Sequence, residues 1–339
     1  MGVEKVKNKE IVEYKSTLEY SLSKKDYIEG IAEKLDDRFK DIFLVGCGGS
    51  LMVMDPCKYI CEVNSDLNIY EYNASEFYTV EPSFLSENSI VILSSLSGET
   101  DEVIRSFEYA RSIGATTIAF SSENSTLGDN VDYLLPLLDQ EGINDSQLIM
   151  LYHLIFSMIS RNNNFNKYSE INGALSLLPD VLINIKEEAK EEAIKFANDF
   201  KDEDFFLVVG SGINWGEVYT FATCNLEEMQ WIKAQPVHSG EFFHGTFEII
   251  NENTNIVIFQ GEDKTRPIVD RVIEFSEKYS DNVFIIDTKD YQVPNVNDSI
   301  REYLSPFIIS AVKGEFLKML SKERNHPISK RRYMGKVNY

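Results

Sequence analysis

Long apolar runs are missing from this 339-residue chain. Nowhere do about eighteen apolar residues follow one another, so a membrane-spanning helix is not expected. Cysteine is scarce as well. The four residues, at 47, 57, 61 and 224, show no C-x-x-C or metal-ligand spacing. Cys57 and Cys61, one helical turn apart, read as reduced thiols. Histidine is equally rare, with four in the chain, so two in one stretch stand out. Positive charge is in deficit: 33 Lys and Arg face 55 Asp and Glu, a net charge of -22 and a pI near 4.6. That balance opposes a nucleic-acid backbone or an anionic membrane as partner. An anionic small molecule would bind only where local donors overrule the overall field. The opening MGVEKVKNKE has no apolar core of a signal peptide, and Val6 breaks the myristoylation pattern. The expectation is a soluble, cytoplasmic protein. What the chain does have is 43% apolar residues, ample for real cores.

Strands alternate with helical patterns, the signature of parallel sheets covered by helices. DIFLVGCGGS (41–50) is a buried strand entering a glycine turn, and SIVILSS (89–95) is the next strand. EVIRSFEYARSIG (102–114) is a helix closed by Gly114, and TTIAFSS (116–122) a third strand. The order then recurs. DFFLVVGSG (204–212) matches the first strand, with Gly46 to Gly210 a step of 164. NIVIFQGEDKTRPIVDRVIEF (255–275) matches the second strand and helix, with Thr100 to Thr265 a step of 165. NVFIIDT (282–288) answers TTIAFSS. Two matches at nearly one offset predict a duplicated α/β unit. Residues 3–36 predict a helical cover, 147–160 an apolar core or interface helix, and 186–200 one charged amphipathic helix. The expected division is a helical segment over 1–30, a first domain over 31–180 and a second over 181–339.

The stretch ILSSLSGETDEV (92–103) puts Ser94, Ser95, Ser97, Gly98 and Thr100 at the mouth of a buried strand, just before a helix. Ligands of open parallel sheets sit beyond the carboxyl ends of the strands, where helix N-termini favour anions. Several hydroxyl donors and a glycine that lets the backbone approach suit a phosphate. One hydroxyl would be enough for a helix cap, and the second half, FQGEDKT, lacks the run. GCGGS (46–50) is weaker, since it lacks the full dinucleotide fingerprint, and Asp66 and Glu71 are loose candidates for a ribose.

NLEEMQWIKAQPVHSGEFFHGTFEII (225–250) is the other dense stretch, read as a helix that breaks at Pro236 and resumes beyond HSGEFFHG. It holds two of the four histidines, with Glu227, Glu228 and Glu241. A glutamate and a histidine near one site can move protons at neutral pH. His238 reads as a polar loop residue. His244, between aromatics and a glycine, is open between space-filling and catalysis.

SSLSGET after a strand, and a glutamate followed sixteen residues later by histidine in EMQWIKAQPVHSGEFFHG, resemble the sugar isomerase (SIS) family. The likeness is to the double-SIS arrangement of the isomerase half of glucosamine-6-phosphate synthase and of the fructosamine-6-phosphate deglycases, over about residues 30–339. It implies an α/β fold of two tandem SIS domains, each a flavodoxin-like parallel sheet between helices. It implies that Ser95, Ser97, Gly98 and Thr100 hold the substrate phosphate, Leu96 lending its backbone, and that Ser50 touches a sugar hydroxyl. Glu228 would shuttle the proton, the spacing favouring it over Glu227, and His244 would assist ring opening. In this family the histidine is commonly lent by the partner subunit, which implies a homodimer with shared sites. No metal or cofactor is implied. The tail HPISKRRYMGKVNY resembles that of the deglycases more than that of the synthase, whose Schiff-base lysine has its nearest counterpart in Lys336.

One departure bears on function. Gly2 stands where the synthase carries its glutaminase cysteine, and the first cysteine is Cys47. The expected substrate is therefore a phosphorylated sugar that already carries its amine. The expected reaction is deglycation of a 6-phosphorylated fructosamine to an amino acid and an aldose 6-phosphate. Two alternatives stand beside it: an amino-sugar-phosphate deaminase or isomerase, and a non-catalytic sugar-phosphate-binding regulator.

Overall fold

The computed structural model describes residues 2–35, 39, 41–162 and 165–337. Two compact units are formed, Met1–Asp180 with Asn295–Ile300, and Val181–Pro294 with Arg301–Tyr339.

The first unit opens with α1 (Gly2–Ser23) and α2 (Lys25–Lys34). It continues through β1 (Asp41–Gly46), the single turn α3 (Gly49–Met52), α4 (Pro56–Asn64), β2 (Asn68–Asn73), α5 (Ala74–Val80) and β3 (Ser89–Ser94). Then come α6 (Asp101–Ile113), β4 (Thr116–Ser121), β5 (Tyr133–Pro136), α7 (Ile143–Asn162) and the part of α8 (Tyr168–Glu188) up to Asp180. All five strands are parallel, in the order β2-β1-β3-β4-β5. The central strands β1, β3 and β4 are near-continuous apolar runs because helices cover both faces of such a sheet. The edge strand β2, NIYEYN, is only partly buried, and its polar alternation hides it from an apolar-run reading. α6 ends where Gly114 turns left-handed at φ 85°. Against α7, Tyr14 donates to Asp145 at 2.6 Å, and His153 lies buried with Nδ1 3.0 Å from Asn172.

The second unit repeats the plan. Its elements are α9 (Lys190–Phe200), β6 (Phe205–Gly210), α10 (Trp215–Tyr219), β7 (Lys233–His238), β8 (Ile256–Gln260), α11 (Arg266–Tyr279), β9 (Val283–Asp287) and, beyond the short α12 (Asp298–Arg301) whose first three residues belong to the first unit, α13 (Ser305–Glu323). The parallel order is β7-β6-β8-β9.

Two expectations need correction. The amphipathic stretch 186–200 is not one helix. Buried Ala189, at φ -69° and ψ -10°, stands as a single turn residue between α8 and α9, its N–H donating to the Ile185 carbonyl at 2.9 Å and its carbonyl accepting the Ala193 N–H at 2.8 Å. Pro236 does not break a helix either: it lies inside β7, opposite Val208. A proline cannot donate to a ladder and is tolerated because β7 is an edge strand. Beyond it the chain makes 3-10 turns at Phe242–His244 and Thr246–Ile249, where a resumed helix was expected.

Candidate active site

In the first unit the chain leaves β1 for β2 on one side and β3 for β4 on the other. The carboxyl ends of β1 and β3, where Gly46 and Ser94 are register partners, are therefore the switch point of the sheet. Open α/β sheets bind ligands in the crevice at that point. Gly48, at φ 53°, turns the chain from β1 into α3, which carries Ser50, and the hydroxyl loop 95–100 follows β3.

The hydroxyls of the loop converge. Ser95, 3% exposed, has its Oγ 2.8 Å from Thr100 Oγ1 and 3.5 Å from Ser97 Oγ, and it accepts the Gly98 N–H at 3.2 Å. Thr100 precedes α6, yet its side chain makes no capping bond to the helix. Its hydroxyl is spent on Ser95 instead, so capping does not explain the loop. Ser97 is exposed, and its Oγ accepts the Glu99 N–H at 3.1 Å. Glu99 is tied to Thr126, which donates its N–H at 2.7 Å and its hydroxyl at 2.8 Å and holds the carboxyl below its ordinary value. That carboxylate is thus engaged away from the three hydroxyls.

A second hydroxyl cluster supports the loop from behind, and sequence reading missed it. Ser122 donates both its N–H (2.9 Å) and its hydroxyl (2.6 Å) to the Leu96 carbonyl. Ser121 and Ser125, 3.1 Å apart, close against Gly98. The signal was present as SSENST after the third strand, but it read only as a strand end.

In the second unit Glu227 and Glu228 end a helical stretch, Thr220–Met229, that runs with i→i+5 hydrogen bonds. Such π-turns recur at functional sites. Buried Lys313 of α13 fixes their start, pairing with Glu217 at 2.7 Å and donating to the Thr220 hydroxyl. The two glutamates part company. Glu227 accepts the Ala234 N–H at 3.3 Å, a bond to the start of β7. Glu228 faces the C-terminal tail, with Oε1 2.7 Å from Arg331 Nη2. Both carboxylates line a cavity of about 440 Å3 beneath that tail. Lys336 stands in the same tail and donates to the Arg331 carbonyl at 2.5 Å.

His244 is exposed and lies past the end of β7, in a turn whose N–H bonds to Glu241. Glu228 precedes the start of the same strand. At about 3.3 Å per residue, the intervening strand is itself roughly 17 Å long. His238 has a local role, its Nδ1 accepting the Gly240 N–H at 3.1 Å.

The second unit's own switch point is closed. Asp263, 5% exposed, accepts the Thr265 N–H at 2.7 Å, and the backbone of Ile213 also bonds to it. Burial lifts its carboxyl above the ordinary value in spite of these donors. Thr265, the counterpart of Thr100, accepts Ser211 at 3.0 Å. Among the described residues no group of three or more His, Cys, Asp or Glu could hold a metal ion, and no helix is long and apolar enough to cross a membrane.

Comparison with known proteins agrees with this layout. The SIS domain family matches residues 38–160, the segment that holds the hydroxyl loop. Fructosamine deglycase FrlB of Bacillus subtilis is 36% identical over 88% of this chain and 92% of its own. The chain belongs to the SIS family, in its fructosamine deglycase branch. The fructoselysine 6-phosphate deglycase of Escherichia coli is 26% identical to this SIS chain over 91% of it and 89% of its own length. Among solved structures, a phosphosugar isomerase of Bacillus subtilis superposes with a TM-score of 0.89 at 34% identity, covering 95% of this chain and all of its own. The C-terminal domain of glucosamine-fructose-6-phosphate aminotransferase from Francisella tularensis, at 17% identity and a TM-score of 0.77, shares the SIS fold.

Proposed function

We propose that this chain is a fructosamine-6-phosphate deglycase. The observation that carries the reading is the hydroxyl loop at the switch point of the first unit, in a chain 36% identical to a fructosamine deglycase. Ser95, Ser97 and Thr100, with the backbone around Gly98, hold the 6-phosphate and so fix the sugar. Ser50 meets a sugar hydroxyl. His244 moves the proton that opens the ring and exposes the C2 carbonyl. Glu228 takes a proton from C1 and returns it to C2 through an enolamine, which leaves the double bond between C1 and nitrogen. Water adds to that imine, and the C1–N bond breaks to free the amino acid and an aldose 6-phosphate. Each general acid–base step contributes roughly a hundred- to ten-thousand-fold. In this reading residues 31–180 and 181–339 are the two SIS domains, and the enzyme works in the cytoplasm, where its phosphorylated substrate is held.

Glu228 and His244 flank β7 at opposite ends, which supports a homodimer whose histidine serves the neighbouring subunit's glutamate. The test is release of free amino acid from a panel of 6-phosphofructosyl adducts. Glu228→Gln and His244→Ala should each abolish release. Unfolding and refolding the two variants together should restore roughly a quarter of wild-type activity, since half the dimers are mixed and each has one intact site. Release of ammonia from an amino-sugar phosphate, with none of amino acid from any adduct, would replace the reading by a deaminase. Unaltered activity in Glu228→Gln would remove Glu228 from the mechanism.

A further inference from the structure

The cavity beside Glu228 has more positive charge than its own carboxylates use. Its walls carry Lys233, Arg331 and Arg332 against Glu227 and Glu228, so one cation is unmatched. In a chain of net charge -22 such a local surplus is unusual. The wall is also stiff. Arg332 and Lys330 lie over the Trp231 ring at 4.3 and 4.7 Å, and the His326 ring meets it edge-on at 4.5 Å. Trp231 itself has φ 56°, a left-handed conformation rare for a bulky side chain, which persists only where the surroundings enforce it.

Arg331 is placed to exchange partners. Its Nη1 donates to the carbonyls of Ile328 (2.6 Å) and Lys330 (3.2 Å), which orient the guanidinium, while Nη2 pairs with Glu228. The Arg331 and Glu228 side chains are 21% and 28% exposed, so this pair can open without stranding a charge in a dry core. A guanidinium presents a planar fork that a free carboxylate can match with two bonds.

We propose that Arg331 is the residue that selects the amine half of the substrate, leaving Glu228 to bind a carboxylate carried by the amine. The proposal rests on Glu228 acting at C1. If it does, Arg331 lies within reach of the nitrogen on C1, and the fitting amine bears its carboxylate one carbon from that nitrogen. The cavity volume of about 440 Å3 suits an amino acid. An adduct through a distant side-chain amine puts the carboxylate several bonds further off and gains little from Arg331. Engagement of the substrate carboxylate also clears Glu228 Oε1 for the C1 proton.

Binding is measured by calorimetry with two inert hexitol probes, which lack the C2 carbonyl: glycine joined through its nitrogen to C1 of a 1-deoxyhexitol 6-phosphate, and its glycinamide counterpart. Wild type should bind the carboxylate probe about tenfold more tightly. Arg331→Gln should bring the two affinities within about twofold by weakening the carboxylate probe, and Arg331→Lys should keep part of the preference. Equal affinities in wild type, or a preference that survives Arg331→Gln, overturn the assignment. Should Arg331→Gln fail to fold, the Lys variant and the wild-type ratio decide the matter. Glycine release from 6-phosphofructosyl-glycine judges the deglycase reading separately. Release without a carboxylate preference sinks the clamp alone, and a preference without release sinks the deglycase reading alone.

Discussion

Replacing Gly98 by alanine tests the hydroxyl loop most directly. Gly98 has φ 66°, and a Cβ built there would lie 2.2 Å from Ser125 Oγ, 2.4 Å from Ser121 Oγ and 2.5 Å from Ser125 Cβ. The hydroxyls could rotate aside, but Ser125 Cβ is held because its Oγ bonds the Ser122 carbonyl at 2.8 Å and the Gly128 N–H at 3.1 Å. The left-handed backbone costs an alanine about 1–2 kcal/mol, and overpacking a filled site adds about 1–3 kcal/mol. The whole, about 3 kcal/mol, should lower the Tm by roughly 5–10 °C. It should also raise the KM for the phosphorylated substrate about tenfold or more, because the loop must lift off Ser121 and Ser125. Gly114→Ala is the matched control. Gly114 also has positive φ, 85°, but its nearest new contact is Glu87 Cβ at 3.7 Å, so only the conformational cost of about 1 kcal/mol applies. The assays are thermal unfolding by circular dichroism and steady-state release of amino acid. If Gly98→Ala matches Gly114→Ala in Tm and leaves KM unchanged, the loop does not sit on its serines as described.

Ser97→Ala removes an exposed hydroxyl, so unfolding should be little changed. Losing one donor to an anion costs about 1–2 kcal/mol, and KM should rise roughly five- to thirtyfold with kcat less affected; an unchanged KM would take Ser97 out of the phosphate site. The His153 ring, 1% exposed among Lys25, Glu29, Tyr168 and Asn172, is pushed down by burial from 6.5 to about 4. Its contribution is fully present above pH 6.5 and is lost as pH falls towards 4, because the unfolded chain then takes a proton that the folded one refuses, a loss of about 3 kcal/mol. Urea midpoints across that range should fall less steeply in His153→Gln than in wild type, and equal slopes would contradict the burial argument.

What could be read from the residues follows the range of the physics involved. The strand–hydroxyl–helix run at 89–113 is contiguous, and its apolar stop and helical period announce a loop at the end of a buried strand. The duplication was legible for the same reason, since β6, β8 and α11 repeat β1, β3 and α6 in order. β7 was not, because Pro236 argues against a strand until the sheet order shows β7 at an edge. The i→i+5 winding of Thr220–Met229 has no signature of its own in the sequence, and Lys313, which bonds Glu217 and Thr220 at its start, lies far along the chain. Arg331 was hidden in the basic tail HPISKRRYMGKVNY, and only the folded chain brings it to Glu228. Spacing favoured Glu228 over Glu227, and the structure gives the two different partners, a backbone N–H for Glu227 and the Arg331 guanidinium for Glu228.

The two units also show why a repeated architecture need not mean a repeated site. Each has a switch point, and each ends the relevant strand in a turn with a threonine at the corresponding step. In the first unit Ser95, Ser97 and Thr100 gather with no carboxylate among them. In the second, Asp263 takes the donors of Thr265 and Ile213 for itself, and Gly212 and Gly261 let it sit so close that a Cβ on either would overlap Asp263 or Asn214. A phosphate brought there would meet a buried carboxylate, a pairing of like charges that loses several kcal/mol at the dielectric of a protein interior. The sequence difference between SSLSGET and FQGEDKT is therefore an electrostatic one. An acid inside the turn opposes an anion, and the hydroxyl loop of the first unit has no such acid among its hydroxyls.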